Sequence, residues 1–399
     1  MRLPRRPPDR RPLRRPLRAR RRLRAGAVQL LGAAAGVAAG LTLPTSGVGP
    51  AVDGSRLVEP LVTLGIGVVG LVSVVYSLLF GVVQWSSDAF SPRLGLFRDD
   101  PLVWRTFAFS IGVFVFCTVA AVTGGGEQRV SVLVPGAAIL GVLVAVALIR
   151  RLQGLAFLSI QLAFVLDEVV TRGLRVVDRR YPPAADTPRP GQGAPPPDLP
   201  PVRRTVAWSG RPGVVQQLDL RRLVADAARA DAVVAFRVAV GDRLHVGAAL
   251  ATVHGGDLGD DAVRRAVVRG TERTLDQDPM LAFRLLADIG LRALSPAVND
   301  PATAVESLDA TGDLLRHLAT RDLDRTDVLD DDGALRARLV VPTWEDYVRT
   351  GVADLLPAAA AAPMVLGRIG RLLDQLTPLV PPSHRAVLGR LGDDVRSRS

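Results

Sequence analysis

Lysine is absent from the 399 residues, so all 50 basic residues are arginine. That absence excludes a P-loop lysine, a pyridoxal Schiff base and a biotinyl- or lipoyl-lysine carrier. A single cysteine, Cys117, leaves no disulfide framework and no thiolate zinc site. The four histidines, His245, His254, His317 and His384, are scattered, and none belongs to an HExxH or similar pair. No nucleophile–base pair is recognisable, and Ser295 has no histidine at a telling position. The expectation is a protein that is not an enzyme, with no catalytic residues, no metal and no cofactor.

Charge is also missing, over long stretches of the first 150 residues. None occurs between Arg24 and Asp53, Glu59 and Asp88, Arg105 and Glu127, or Arg129 and Arg150. A helix rises about 1.5 Å per residue, so roughly 20 apolar residues cross the ~30 Å hydrocarbon core. Four transmembrane helices are therefore expected, near residues 26–43, 60–84, 104–123 and 130–150. The first run also permits a cleaved signal peptide, since arginines precede it and small residues follow; three further spans favour a retained helix. Trp85 and Trp104 fall where interfacial anchors belong.

The net charge of +11 sits entirely in one tail. Residues 1–24 hold twelve arginines against Asp9, and the remainder of the chain is neutral. Such a tail, rich in Pro and Arg with almost nothing apolar, is expected to be disordered and to lie on anionic lipid; nucleic acid is not an expected partner. Arg93, Arg98, Arg150 and Arg151 add charge on the same side, and the positive-inside count places both termini in the cytoplasm of a bacterial inner membrane.

The domain organisation follows. Residues 1–24 form the tail, 25–151 the four-helix transmembrane domain, and 152–181 an amphipathic connecting helix that continues from the fourth span, packed on the bundle or lying along the interface. Residues 182–201, with nine prolines, are an extended linker. A small β-rich subdomain is expected over 202–256: a hairpin-like pair from TVAW and VVQQL, a helix capped by Asp219, then strands on either side of a Gly-Asp turn. Residues 257–380 are read as a helical subdomain, with helices at about 260–274, 279–294, 301–319, 343–355 and 363–378 and one further strand at 334–341. Residues 381–399 are the C-terminal tail. The fold class is thus an α-helical multi-pass membrane bundle followed by a cytoplasmic α+β domain with a small β-barrel or sandwich-like part and a helical part.

Two features carry candidate chemistry. In DPMLAFRLLADIGLRALSPAVNDPATA (278–304), Asp278–Pro279 starts one helix, Ser295–Pro296 ends it, and Asn299–Asp300–Pro301 starts the next. Arg284, Asp288 and Arg292 share a face at four-residue steps. They read either as a structural ion-pair ladder or, with Ser295, Asn299 and Asp300 at the elbow, as a site for a small anion or a protein partner. In the second span, Ser73, Ser77 and Gln84 make an uncharged polar stripe. It serves either helix packing or the lining of a water-filled path. The segment GDRLHVGAALATV has the look of a biotinyl/lipoyl-type barrel, but without lysine it is left as a docking module, and His245 and His254 read as core or surface residues rather than ligands.

Three blocks, VVYSLLFGVVQWSSDAFSPRL (74–94), residues 209–253 from SGRPGVVQQL to GAALATV, and the 278–304 stretch, resemble the uncharacterised bacterial membrane-protein family known as domain of unknown function 2254. The resemblance runs from about residue 55 to 378. It implies a multi-pass inner-membrane protein with a cytoplasmic domain, and no reaction, ligand or site residue. The functional expectation is a homo-oligomeric channel or transport-type protein regulated by its cytoplasmic domain; the alternative is a membrane-anchored sensor or scaffold using the 278–304 region.

Overall fold

The computed structural model describes residues 19–46, 48–89, 101–125, 129–159, 161–184, 198–324 and 326–398. Most of the Arg-rich tail and of the Pro-rich linker lies outside them. The chain forms two compact units, one spanning Leu17–Val165 and the other Leu166–Ser399.

The first unit is a bundle of α1 (Ala19–Thr42), α2 (Val58–Ala89), α3 (Pro101–Gly124) and α4 (Leu133–Ser159). Among the described residues, three helical stretches are long and apolar enough to cross a membrane: Gly54–Gly81, Leu102–Gly124 and Leu133–Leu155. The first of the four expected spans is a shorter apolar run, Gly26–Thr42. Valines of α2 at heptad-like spacing, Val68, Val72 and Val75, with Leu79, face Phe116, Cys117 and Ala120 of α3 and Ala138 and Ala145 of α4.

Glycine sets the closest approach. Gly32, Gly36 and Gly40 repeat every fourth residue along α1 and lie against Ala108, Gly112 and Val119 of α3. A Cβ on Gly32 would stand 2.6 Å from the Ala108 oxygen, and one on Gly112 would stand 2.8 Å from the Gly32 oxygen. Without a hydrophobic force inside lipid, such small-residue spines let backbones touch and supply the packing energy. Because 32 meets 108 and 36 meets 112, α1 and α3 are parallel. Gly65 meets Cys117 while the Tyr76 hydroxyl donates to the Val103 carbonyl, so α2 is antiparallel to both. The two loops at one end join in a short antiparallel ladder, β1 (Ala51–Val52) with β2 (Val130–Ser131).

α5 (Leu162–Arg180) leads the chain from the first unit into the second. α4 stops at Ser159, so the expected single continuation is two helices. α5 buries Val165, Leu166, Val169, Val176 and Val177, and Gly173 fits against Ala282 and Leu314. At Gly173 the helix thus lies against residues that belong to the α/β unit.

Next come β3 (Val202–Ala207), β4 (Gly213–Leu218), α6 (Leu220–Arg229), β5 (Ala232–Phe236), β6 (Arg243–Leu244), β7 (Ala249–Gly255), α7 (Asp260–Ala266) and β8 (Val267–Gly270). After these follow α8 (Met280–Ala293), α9 (Pro301–Ala319), β9 (Asp327–Leu329), β10 (Leu335–Arg338), α10 (Trp344–Gly351), α11 (Leu356–Ala359), α12 (Pro363–Leu376) and α13 (Pro382–Arg398). The strands make two open sheets, one ordered β3-β7-β5-β10-β9 and the other β6-β4-β8. No closed barrel forms among the described residues. Both sheets line one core: Val206, Val234 and Val253 from the first, and Val215, Leu244 and Val267 from the second, with Leu223 and Ala227 of α6.

Several local expectations change. β3 and β4 do not pair as a hairpin; β3 pairs with β7, and β4 with β6 and β8. The expected strand through 243–253 is divided by a turn in which Gly247 adopts φ +83°. The helix expected to reach 274 stops at Ala266, because Val267 and Val268 are β-branched and pair with β4. Asp219 stands at the N-cap of α6 without a side-chain capping bond. The C-terminal tail is helical, and α13 buries Leu388, Leu391 and Val395.

Candidate functional site

α8 and α9 form the centre of the helical part. The α8 start is built on Asp278, only 2% exposed, which accepts from the Leu281 amide at 3.2 Å. Arg273 grips the same carboxylate with two bonds, Nε at 2.7 Å and Nη2 at 3.0 Å. Burial pushes the Asp278 carboxyl above its ordinary range, and Arg273 opposes that shift. Gly241 lies over this pair at φ +99°, where a Cβ would come within 2.7 Å of the Asp278 carboxylate.

Along α8, Arg284 pairs with Asp288 at 2.8 Å, as the four-residue spacing allows, and reaches Asp354 at 3.5 Å. Arg292 is exposed one turn further on. At the elbow, the Ser295 hydroxyl donates to the Arg292 carbonyl at 2.7 Å, closing the C-terminal turn of α8. Asn299 takes φ +49°, a left-handed conformation that asparagine tolerates better than most residues. The Asp300 amide then donates to the Ala293 carbonyl at 2.8 Å. Its carboxylate accepts from the Thr303 amide at 3.1 Å and the Thr303 hydroxyl at 2.6 Å, and these bonds hold it below its usual range. The elbow therefore brings Ser295, Asn299 and Asp300 together as caps, and Arg284 and Asp288 as an ion pair. The α9 N-terminus, where an external anion would bind, is met by the chain's own carboxylate.

Sequence reasoning missed a clasp on the same helices. Tyr181, at the end of α5, is fully buried and shares a hydrogen bond with Tyr347 of α10, oxygen to oxygen 3.0 Å. Phe283 of α8 packs on Tyr347 with ring centroids 4.9 Å apart. Burial raises both phenols, that of Tyr347 well above the ordinary value. One turn earlier, Asp178 accepts Arg321 Nη2, just past α9, at 2.6 Å and lies 2.7 Å from Nε2 of His317 in its last turn. The Asp322 amide donates to Pro182 and the Ala184 amide to Thr320. No local spacing signals these contacts, since Tyr181 and Tyr347 are 166 positions apart.

In the bundle, Ser73 and Ser77 are exposed, on the side of α2 away from Val68, Val72 and Val75. Their hydroxyls donate to the carbonyls of Val69 and Ser73 at 2.8 and 2.9 Å. Gly70 and Gly81 continue the stripe, and a Cβ on either would meet nothing within 4 Å. Gln84 lies in the last turns of α2, but its side chain is outside the described residues.

His254 is a core residue, its Nδ1 2.7 Å from the Pro200 carbonyl and its Nε2 2.9 Å from the Thr252 hydroxyl; His245 is exposed. An open depression of about 580 Å³ lies over α6 and α7, but its Arg222 and Arg229 both pair with Asp226. No group of three or more metal-ligating side chains converges among the described residues.

The fold and these contacts define a membrane protein with an apolar helical half and a mixed α/β half. The chain belongs to the family described as Predicted membrane protein (DUF2254), whose model matches residues 25–375. Uncharacterized proteins of Mycobacterium bovis and Mycobacterium tuberculosis are 31% identical over 345 residues, covering 82% of this chain. The chain spans 65% of the length of these relatives. No solved structure matches.

Proposed function

We propose that this is a four-span bacterial inner-membrane protein, homo-oligomeric and of channel or transport type, with both termini and the α/β half in the cytoplasm. The glycine spine supports the fourth span. It joins α1 to α3 along Gly32, Gly36 and Gly40, and the run Gly26–Thr42 covers about 26 Å at 1.5 Å per residue. Alternating helix directions then put the start of α1, Arg105 and Arg150 at one end, the end that the positive-inside rule assigns to the cytoplasm.

The observation that carries the transport reading is the exposed stripe of Gly70, Ser73, Ser77 and Gly81 on α2. Small and hydroxyl residues on a lipid-facing surface pack against another helix or border water; facing lipid alone, they forgo packing. Because the stripe points out of the protomer, a path along it requires further copies. α5, which follows α4 in the chain and is held within the α/β half through Asp178 and Tyr181, would be the regulatory link.

Disulfide trapping of a Ser77→Cys, Cys117→Ala variant in membranes tests the stripe, together with ion flux from liposomes holding wild type or Ser77→Leu. Trapped dimers and a flux lost on Ser77→Leu are expected. Flux through wild type that Ser77→Leu leaves unchanged, with no trapped dimer, would overturn the reading. The alternative of an anion sensor at 278–304 is weakened by the use of Ser295 and Asp300 as local caps.

A further inference from the structure

We propose that one rim of the bundle, formed by Arg105, Arg150 and Arg151 beside Trp104, binds the headgroup phosphates of anionic phospholipid. The three arginines come to one level through helix packing. Gly141 of α4 lies on Val113 of α3, and these helices are joined by a short connection. Eight residues back along α3 lead to Arg105, and nine residues forward along α4 lead to Arg150. From the opposite end, Arg105 is about 28 Å before Gly124, and Arg150 is about 26 Å beyond Leu133, at ~1.5 Å per residue. Both distances match the thickness of the hydrocarbon core, so the guanidinium groups stand at the headgroup level.

All three side chains are exposed, and none makes an ion pair or a side-chain hydrogen bond among the described residues. This contrasts with the α/β half, where Arg273, Arg284, Arg336 and Arg338 each hold a carboxylate. Arg150 and Arg151 are flanked by Ile149, 3% exposed, and Leu152, fully buried, so the α4 backbone at this level is fixed by the core while its charges face outward. Trp104, 42% exposed, is the amphipathic ring expected at a membrane–water boundary. Guanidinium forks bind phosphate oxygens in pairs, and basic positions at helix ends are recognition sites for anionic headgroups.

The inference rests on the membrane-spanning reading but not on transport; a requirement for detergent to extract the protein checks the former separately. The experiment is native mass spectrometry and thermal unfolding of the full chain in neutral detergent. Phosphatidylglycerol, phosphatidylcholine or inorganic phosphate is added at equal phosphorus concentration. Wild type is expected to retain and be stabilised by phosphatidylglycerol over phosphatidylcholine, less so at high salt. The triple variant Arg105→Gln, Arg150→Gln, Arg151→Gln should lose about tenfold or more of that preference. The corresponding triple Arg→Lys variant, which keeps the charge and loses the paired fork, should fall between the two. Absence of preference in wild type overturns the proposal, as does an undiminished preference in the Gln variant or equal stabilisation by inorganic phosphate. The wild-type comparison decides even where the Gln variant does not insert.

Discussion

Replacing Gly36 by valine places a side chain where the structure has none to spare. A Cβ at Gly36 already overlaps the Gly112 carbonyl oxygen and approaches the Phe116 amide at 3.1 Å. Neither backbone atom can rotate away, so α1 and α3 must separate. Separation also breaks the paired approach at Gly32, whose Cβ position stands 2.6 Å from the Ala108 oxygen. Overpacking of this kind costs about 1–3 kcal/mol, and the rigidity of two helices sets the value at the upper end. The matched control is Gly136→Val on α4, where an added Cβ meets nothing within 4 Å. Equilibrium unfolding in mixed micelles, followed by circular dichroism, should show Gly36→Val destabilised by about 2–3 kcal/mol and Gly136→Val within about 0.5 kcal/mol of wild type. Equal stability of Gly36→Val and wild type would refute the close parallel packing of α1 on α3.

Tyr181→Phe strands the buried Tyr347 hydroxyl and should cost about 1–2 kcal/mol by denaturant unfolding, with the Tyr181→Phe, Tyr347→Phe double variant recovering part of the loss. Asp300→Ala removes the α9 cap and should cost about 1 kcal/mol. Because the folded Asp300 carboxyl lies below its ordinary value, its stabilisation is complete above that value and is lost as pH falls through the depressed one; Asp300→Asn should flatten this part of the acid limb in a pH series of unfolding midpoints. Gly241→Ala, at φ +99° and facing the Asp278 carboxylate, should destabilise by more than about 1 kcal/mol in thermal melts.

What the sequence makes legible is whatever depends on neighbours in the chain. The apolar runs of α2, α3 and α4, the Asp300–Pro301 start of α9 and the Arg284–Asp288 pair all follow from local spacing. The repeat Gly32, Gly36, Gly40 is visible at the same level, although its partner surface on α3 is not. Contacts between distant segments leave no such trace. β3 and β4 are separated by a hairpin-like turn, yet each pairs elsewhere, with β7 and β8, and Val206 and Val215 are buried in one core. Val267 and Val268 follow a helical pattern on paper and become a strand when β4 presents an edge. The amphipathic stripe of α5 is plain in sequence, whereas the contacts of Gly173 with Ala282 and Leu314 and of Tyr181 with Tyr347 depend on residues arriving from far along the chain.

In the proposed topology the bundle crosses the membrane four times and leaves both ends on the same side. On a Cys117→Ala background, single cysteines at Ser46, between α1 and α2, and at Ser397, in α13, can be probed with a membrane-impermeant maleimide on spheroplasts. Labelling is expected at 46 in intact spheroplasts and at 397 only after permeabilisation. Labelling of 397 in intact spheroplasts, or protection of 46, would contradict it.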